Sequence, residues 1–254
     1  HYKNVGRHAD YAPNPFFHPA WYQKRYPEIS AADLDPFEYY VTQGERLGHR
    51  PNALLHTDWY KVQHELSAED SPLHHLANAE NPKPNPLFDG AWYREENAAA
   101  LQAGENPLSH YLEKGYLFCR PHPLFDGAWY LDRYREVAAS GENPLAHFLD
   151  AGGQSGYGPN PFFDTFWYRE QYLKEEPTAL NPLVHFIEVG ARRGYRPHPL
   201  FDPSWYLGRY PSVARAEKNP LAHYIQNRGY PAGAESEWEP NSFSNSAWFR
   251  SEHI

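Results

Sequence analysis

The chain has 254 residues, with 23 Lys and Arg against 32 Asp and Glu, a formal charge of -9. That balance, with no run of five cations, excludes a broad phosphate-binding surface and so a nucleic-acid partner. No stretch of 18 apolar residues offers a membrane span, and the single cysteine, Cys119, excludes an internal disulfide and a cysteine-based zinc site.

Aromatic residues make up 17% of the chain and proline occurs 25 times, while methionine is absent. These residues fall in a pattern. Trp-aromatic pairs stand at Trp21-Tyr22, Trp59-Tyr60, Trp92-Tyr93, Trp129-Tyr130, Trp167-Tyr168, Trp205-Tyr206 and Trp248-Phe249, so successive tryptophans lie 38, 33, 37, 38, 38 and 43 residues apart. Such self-similarity marks a tandem array. In chain order the expected organisation is the end of a preceding repeat at 1–12, then repeats at 13–50, 51–83, 84–120, 121–158, 159–196 and 197–239, and the start of a further one at 240–254. The copy at 51–83 is degenerate and the tail of 197–239 is extended. HYKNVGRHADYAPNPFF at the start aligns without gaps on HFIEVGARRGYRPHPLF at 185–201. Both ends are thus expected to cut through a unit, and the natural protein to be longer.

The copy at 121–158 shows why two helices per repeat are expected. Asp126 precedes a helix-compatible run and suits an N-cap, where its carboxylate takes free backbone N–H groups. Phe125 and Tyr130 stand at the two ends of a hydrophobic staple. Tyr130, Tyr134 and Val137 recur at helical spacing, and Gly141 lies just past that helix. Asn143-Pro144 then opens a second helix, with Pro at N1, where no N–H is wasted. Leu145, Phe148 and Leu149 give its apolar face, and Gly152 is read as its C′ stop. The same cap-proline start recurs at Asp35, Ser71, Asn106, Asn181 and Asn219. P-x-P connectors favour extended backbone between units. Helices of roughly 8–13 residues do not hold alone in water, so each unit must lean on its neighbours. The expected class is all-α, a tandem array of about six short two-helix repeats, solenoid-like or stacked as compact hairpins. No alternating strand pattern stands out.

Two positions could carry chemistry. Three residues before Trp stand Asp89, Asp126, Asp164 and Asp202, replaced by His18, His56 and Asn245 in other copies. Three after the second-helix Pro stand His75, His110, His147, His185 and His223, with Tyr39 as the exception. An acid-base pair or a set of metal ligands is one reading. Catalysis also needs a pocket and an orienting group, and it seldom comes in tandem copies. The favoured reading is structural. The Asp residues, with His in some copies, cap first helices. Asn106, Asn143, Asn181 and Asn219 cap second helices. The histidines are neutral polar links in the core, bonded to a backbone group or to a nearby Asp. No catalytic residue, metal or cofactor is expected, since no G-x-S-x-G, phosphate loop or H-E-x-x-H occurs.

The aromatic pairs also have two readings. They could be core, or Trp92, Trp129, Trp167 and Trp205 could stack on sugar rings. A mixture, with one ring inside and one at the rim, is expected. Arg46, Arg50, Arg120, Arg192, Arg193 and Arg196 could bind an anion, although complementing helix C-termini is the commoner use. Trp238, in ESEWEP, reads as a linker residue.

Written out, the consensus NPLFDxxWYLxxYPxVxxxGxNPLxHYLxxGxxxGYRP resembles a helical repeat attached to bacterial surface-polysaccharide glycosyltransferases and found in some large secreted bacterial proteins. The resemblance covers nearly the whole chain. It implies a bacterial accessory region, at the cell surface or secreted, or cytoplasmic if fused to a glycosyltransferase. Polysaccharide or a partner protein would be its ligand. The expected function is a non-catalytic scaffold or binding surface. Its rivals are a carbohydrate-binding module of a glycosyltransferase and a subunit of an extracellular fibre that self-associates end to end.

Overall fold

The computed structural model describes residues 15–175 and 180–227. The partial repeats expected at 1–12 and 240–254, Asn245, Trp238 and the extended tail of the 197–239 copy lie outside them. The chain divides into two compact units, His1–Cys119 and Arg120–Ile254.

The protein is all-α. The described residues hold fifteen α-helices and no strand. Three isolated bridges close connector turns, Asn85 with Phe88, His122 with Phe125 and His198 with Phe201. The first unit contains α1 (Pro19–Arg25), α2 (Pro27–Ala31), α3 (Pro36–Tyr39), α4 (Thr57–Gln63), α5 (Pro72–Ala77), α6 (Gly90–Glu96) and α7 (Pro107–Glu113). The second contains α8 (Gly127–Arg133), α9 (Arg135–Ser140), α10 (Pro144–His147), α11 (Thr165–Tyr172), α12 (Pro182–His185), α13 (Pro203–Arg209), α14 (Pro211–Arg215) and α15 (Pro220–Asn227). Within each copy the Trp-bearing helix packs on the helix that opens with Pro, as α8 does on α10.

Two expectations need correction. The helices are shorter than the roughly 8–13 residues expected; the described ones run from four to eight residues. The single first helix of the repeat is also two helices in three copies, broken at Tyr26, Tyr134 and Tyr210, where ψ swings to 74°, 80° and 74°. Pro27 and Pro211 follow two of these residues, and a proline pushes the residue before it out of the helical region. The break also places the phenol. Tyr26 Oη accepts from the Arg50 N–H at 2.9 Å, and Tyr134 Oη accepts from the Gly158 N–H at 2.7 Å. Tyr172, at the end of the unbroken α11, does the same with Arg196 N–H at 3.2 Å.

The second arm differs from expectation at its end. After α3, α10 and α12 the backbone widens into π-turns at Tyr40–Gly44, Phe148–Gly152 and Phe186–Gly190. Gly152 lies inside such a turn and is no left-handed stop. The left-handed glycines come four residues later, Gly48, Gly156 and Gly194, at φ 76°, 87° and 72°. There the missing Cβ is what permits the conformation.

Aromatic rings dominate the core. Tyr22, Tyr60, Tyr93, Tyr130, Tyr168 and Tyr206 are fully buried, with Phe17, Phe88, Phe125 and Phe201 beside them. Each buried ring contributes on the order of 2 kcal/mol. That compensates for helices too short to be stable alone.

Candidate functional site

The recurring polar cluster is built around the second ring of each Trp-Tyr pair. Asp126 accepts from the Trp129 N–H at 2.9 Å and so starts α8; Phe125 meets Tyr130 with ring centroids 5.5 Å apart. The helix then directs the Tyr130 hydroxyl at His147 Nδ1, 2.8 Å away. The same bond joins Tyr60 to His75, Tyr93 to His110, Tyr168 to His185 and Tyr206 to His223, at 2.7–2.9 Å. The partner of the repeated histidine is therefore this phenol, rather than the cap Asp or the backbone. Burial raises the Tyr60 phenol to about 12 and pushes Tyr130, Tyr168 and Tyr206 higher still, so each stays an O–H. Which of the two groups donates depends on the imidazole tautomer.

Glycine completes the joint. An ideal Cβ on Gly44, Gly115, Gly152 or Gly190 would stand 2.3, 2.2, 2.2 and 2.1 Å from the hydroxyl of Tyr22, Tyr93, Tyr130 and Tyr168. The hydroxyl occupies the space a side chain would take. A third ring covers the cluster: Tyr157 stacks on Tyr134 at 4.3 Å and Tyr195 on Tyr172 at 4.2 Å.

The copy at 13–50 has Tyr39 at the histidine position and solves the problem from elsewhere. His49 Nδ1 lies 2.8 Å from Tyr22 Oη, and its ring stacks on Tyr26 at 3.8 Å and 1°. His49 stands five residues after Gly44, where Tyr157 and Tyr195 stand after Gly152 and Gly190. One imidazole replaces both a histidine and a tyrosine. That register was the readable signal for it.

The remaining expected residues are placed as follows. Asp89, Asp164 and Asp202 accept from the N–H of Trp92, Trp167 and Trp205 at 2.9–3.0 Å. Asn106, Asn143, Asn181 and Asn219 each accept two N–H groups of the following helix. Asn181 also donates to Phe148 O, and Asn106 to Ala79 O, in the preceding copy. His18 and His56, read as caps, make no side-chain cap bond. His56 is largely buried instead; its Nε2 is enclosed without a partner, and burial with the nearby Arg50 charge lowers its pKa to about 3.

Four of the arginines before the connectors make local bonds. Arg50 reaches Ala53 O and Leu55 O, Arg120 reaches Pro123 O, and Arg196 pairs with Asp202. They fold back on the following turn; Arg192 reaches Glu188 O in the preceding one.

A set of residues that sequence reasoning missed joins the copies. Asn52, Asn85 and Asn160, each just after a connector proline, are buried. Their amides donate to Phe16 O, Leu54 O and Leu124 O in the preceding copy at 2.7–2.8 Å. Their carbonyl oxygens accept N–H groups two residues on. The P-N and P-H dipeptides of the connectors were the available signal. In two other copies His122 and His198 stand at this place and make the turn bond, Nδ1 accepting from Leu124 and Leu200.

Among the described residues, no three His, Cys, Asp or Glu side chains converge as metal ligands would, and no helix is long and apolar enough to cross a membrane. The six described tryptophans of the pairs are half-buried, each beside a fully buried tyrosine. No family model, curated protein or solved structure matches the chain.

The His56 position yields a prediction. Arg50 precedes it by six residues, as Arg196 precedes Asp202, so Asp at 56 would find both a cap role and a cation. His56→Asp should raise stability by about 1 kcal/mol at pH 7. Urea unfolding of the full chain would show it as a higher midpoint at unchanged slope.

Proposed function

We propose that this chain is a non-catalytic helical repeat region of a larger protein, a scaffold whose recurring surface binds carbohydrate. One observation carries the reading. The repeated Asp, Asn and His side chains, which could have done chemistry, are spent on caps and on bonds to buried tyrosines. What recurs at the surface is a half-buried indole, in the same place in each copy. An indole fixed on a short helix presents a flat apolar face, and the C–H faces of pyranose rings suit it. The clamps from Asn52, Asn85 and Asn160 to a preceding carbonyl support a stack of copies, which would space such faces regularly. The resemblance to regions beside surface-polysaccharide glycosyltransferases points the same way, toward a bacterial accessory module.

The test is the triple change Trp129→Ala, Trp167→Ala and Trp205→Ala, with neutral and acidic hexopyranose polymers as probes. Expected is a loss of binding of at least about tenfold, with helical circular dichroism kept, since about 1.4 kcal/mol of lost stacking is tenfold. Wild-type protein that binds none of the polymers, or a variant that binds as well as wild type, overturns the carbohydrate reading.

A further inference from the structure

We propose that the copy at 51–83 is an acid-opened joint, which unlatches between pH 7 and pH 5 while the copy at 121–158 stays closed. Two imidazoles stand here besides the repeated core histidine. His56 stands where four copies have a cap carboxylate and the copy at 13–50 has His18, and His64 stands where Tyr134 and Tyr172 stand. His75, the repeated core histidine, completes the group.

His56 and His64 meet positively charged neighbours, while Asp70 faces His75. His56 is largely buried, makes no cap bond, and faces Arg50, which is held in place by its own bonds to Ala53 O and Leu55 O. The His64 ring lies 4.3 Å from Tyr60 and 5.1 Å from His75; burial, then His75, lower its pKa, a hydrogen bond with the Lys83 backbone partly offsets them, and the Lys83 charge adds a smaller lowering. His75 Nδ1 is bonded to Tyr60 Oη at 2.8 Å. The nearby carboxylates are committed. Asp70 is exposed and bonded to the Ser67 N–H and hydroxyl, and Glu45, from the preceding copy, takes Ser71 Oγ and Tyr40 Oη. A second proton on His64 would set a cation beside His75 and Lys83, and one on His56 would set a cation against Arg50.

Protons can reach the group. A solvent-open hollow of about 410 Å³ lies beside it, lined by Asp70, Ser71, His74 and His75 among others. The helices that carry these residues, α4 and α5, have seven and six residues, so little intrahelical bonding resists opening. The sign follows from proton uptake. His56 stays neutral in the closed copy down to about 3, but takes a proton near 6.5 once exposed. Acid therefore favours the open form, and stability present above pH 6.5 is lost as pH falls toward 3. From His56 alone the opening equilibrium grows roughly 25-fold between pH 7 and pH 5.

Hydrogen exchange of the full chain at pH 7 and pH 5, corrected for the intrinsic pH dependence, tests this. Amides of 57–63 and 72–77 should lose about 25-fold or more in protection relative to those of 127–133 and 144–147. The double variant His56→Asp, His64→Tyr should hold that ratio to within about threefold. His56→Asp alone, which leaves the Tyr60 surroundings untouched, should remove most of the effect if the double variant folds poorly. An equal loss in both segments overturns the proposal, as does an undiminished acid response in His56→Asp.

Discussion

Gly152→Ala is expected to destabilise the second unit by about 2–3 kcal/mol, and Tyr130→Phe in the same chain to recover part of that loss. The added methyl would sit 2.2 Å from Tyr130 Oη and 3.1 Å from His147 Nδ1. Both are held by their mutual bond and by the stacked ring of Tyr157 within 6.3 Å. Overpacking of this kind costs about 1–3 kcal/mol, because the tyrosine must leave its rotamer or the π-turn must shift. Tyr130→Phe alone costs about 1–2 kcal/mol, since it leaves the part-buried His147 Nδ1 without its hydrogen-bond partner. In the double variant the methyl replaces the hydroxyl in nearly the same space. The double variant should then cost less than Gly152→Ala alone, so the coupling exceeds the about 1–2 kcal/mol of Tyr130→Phe, and a double-mutant cycle reads it directly. Gly141→Ala is the control. Its φ is 69° and nothing lies within 4 Å of the added Cβ, so its cost is purely conformational and Tyr130→Phe should not relieve it. Urea midpoints and the protection of α8 and α10 amides measure all four. Strict additivity for Gly152 and Tyr130 would mean that the glycine is there for the backbone and not for the phenol.

That joint shows how far the sequence could be read. The cap at Asp126 and the cap-proline start at Asn143-Pro144 were legible, because capping is local: the acceptor and the N–H groups it meets lie within three residues. The histidine position was legible as a recurrence, but its partner was not. Tyr130 and His147 are 17 residues apart, on two helices whose mutual rotation no periodicity gives. Gly152 was misread for the same reason. A glycine near a helix end ordinarily marks a left-handed turn, and only the packing of another helix's hydroxyl against it reveals the other use. The break at Tyr134 was readable and was missed. Tyr26-Pro27 and Tyr210-Pro211 announce it in two copies; the copy with Arg135 in place of proline breaks at the same residue, its phenol accepting from Gly158. His18 and His56 were read as caps from polarity alone. His56 is instead largely buried beside Arg50 and makes no cap bond.

Asn160→Ala should cost about 2–4 kcal/mol, and Asn160→His clearly less. The side chain of Asn160 is 2% exposed and works at both ends: its amide donates to Leu124 O at 2.7 Å, and its carbonyl accepts the Phe162 N–H at 2.8 Å. Alanine strands a backbone acceptor in one copy and a backbone donor in the next. Buried groups left in that state cost about 1–3 kcal/mol each. Histidine stands at this place in two other connectors, and there Nδ1 of His122 and His198 accepts the N–H two residues on, at 3.1 Å. Asn160→His should therefore keep the turn bond to Phe162. Asn160→Asp separates the two roles the other way. A carboxylate can still accept from Phe162, but it brings a charge against Leu124 O, so it should be at least as harmful as alanine. The predicted order of urea midpoints is wild type, then His, then Ala with Asp level or below. Hydrogen exchange adds the location: with Ala or Asp, protection should fall at the α8 end of the joint as well as at α11, because the amide of Asn160 is what ties one copy to the carbonyl of the one before. If only α11 responded, Asn160 would be a turn residue and not a clamp. The regular spacing of the tryptophans would then rest on the aromatic contacts alone.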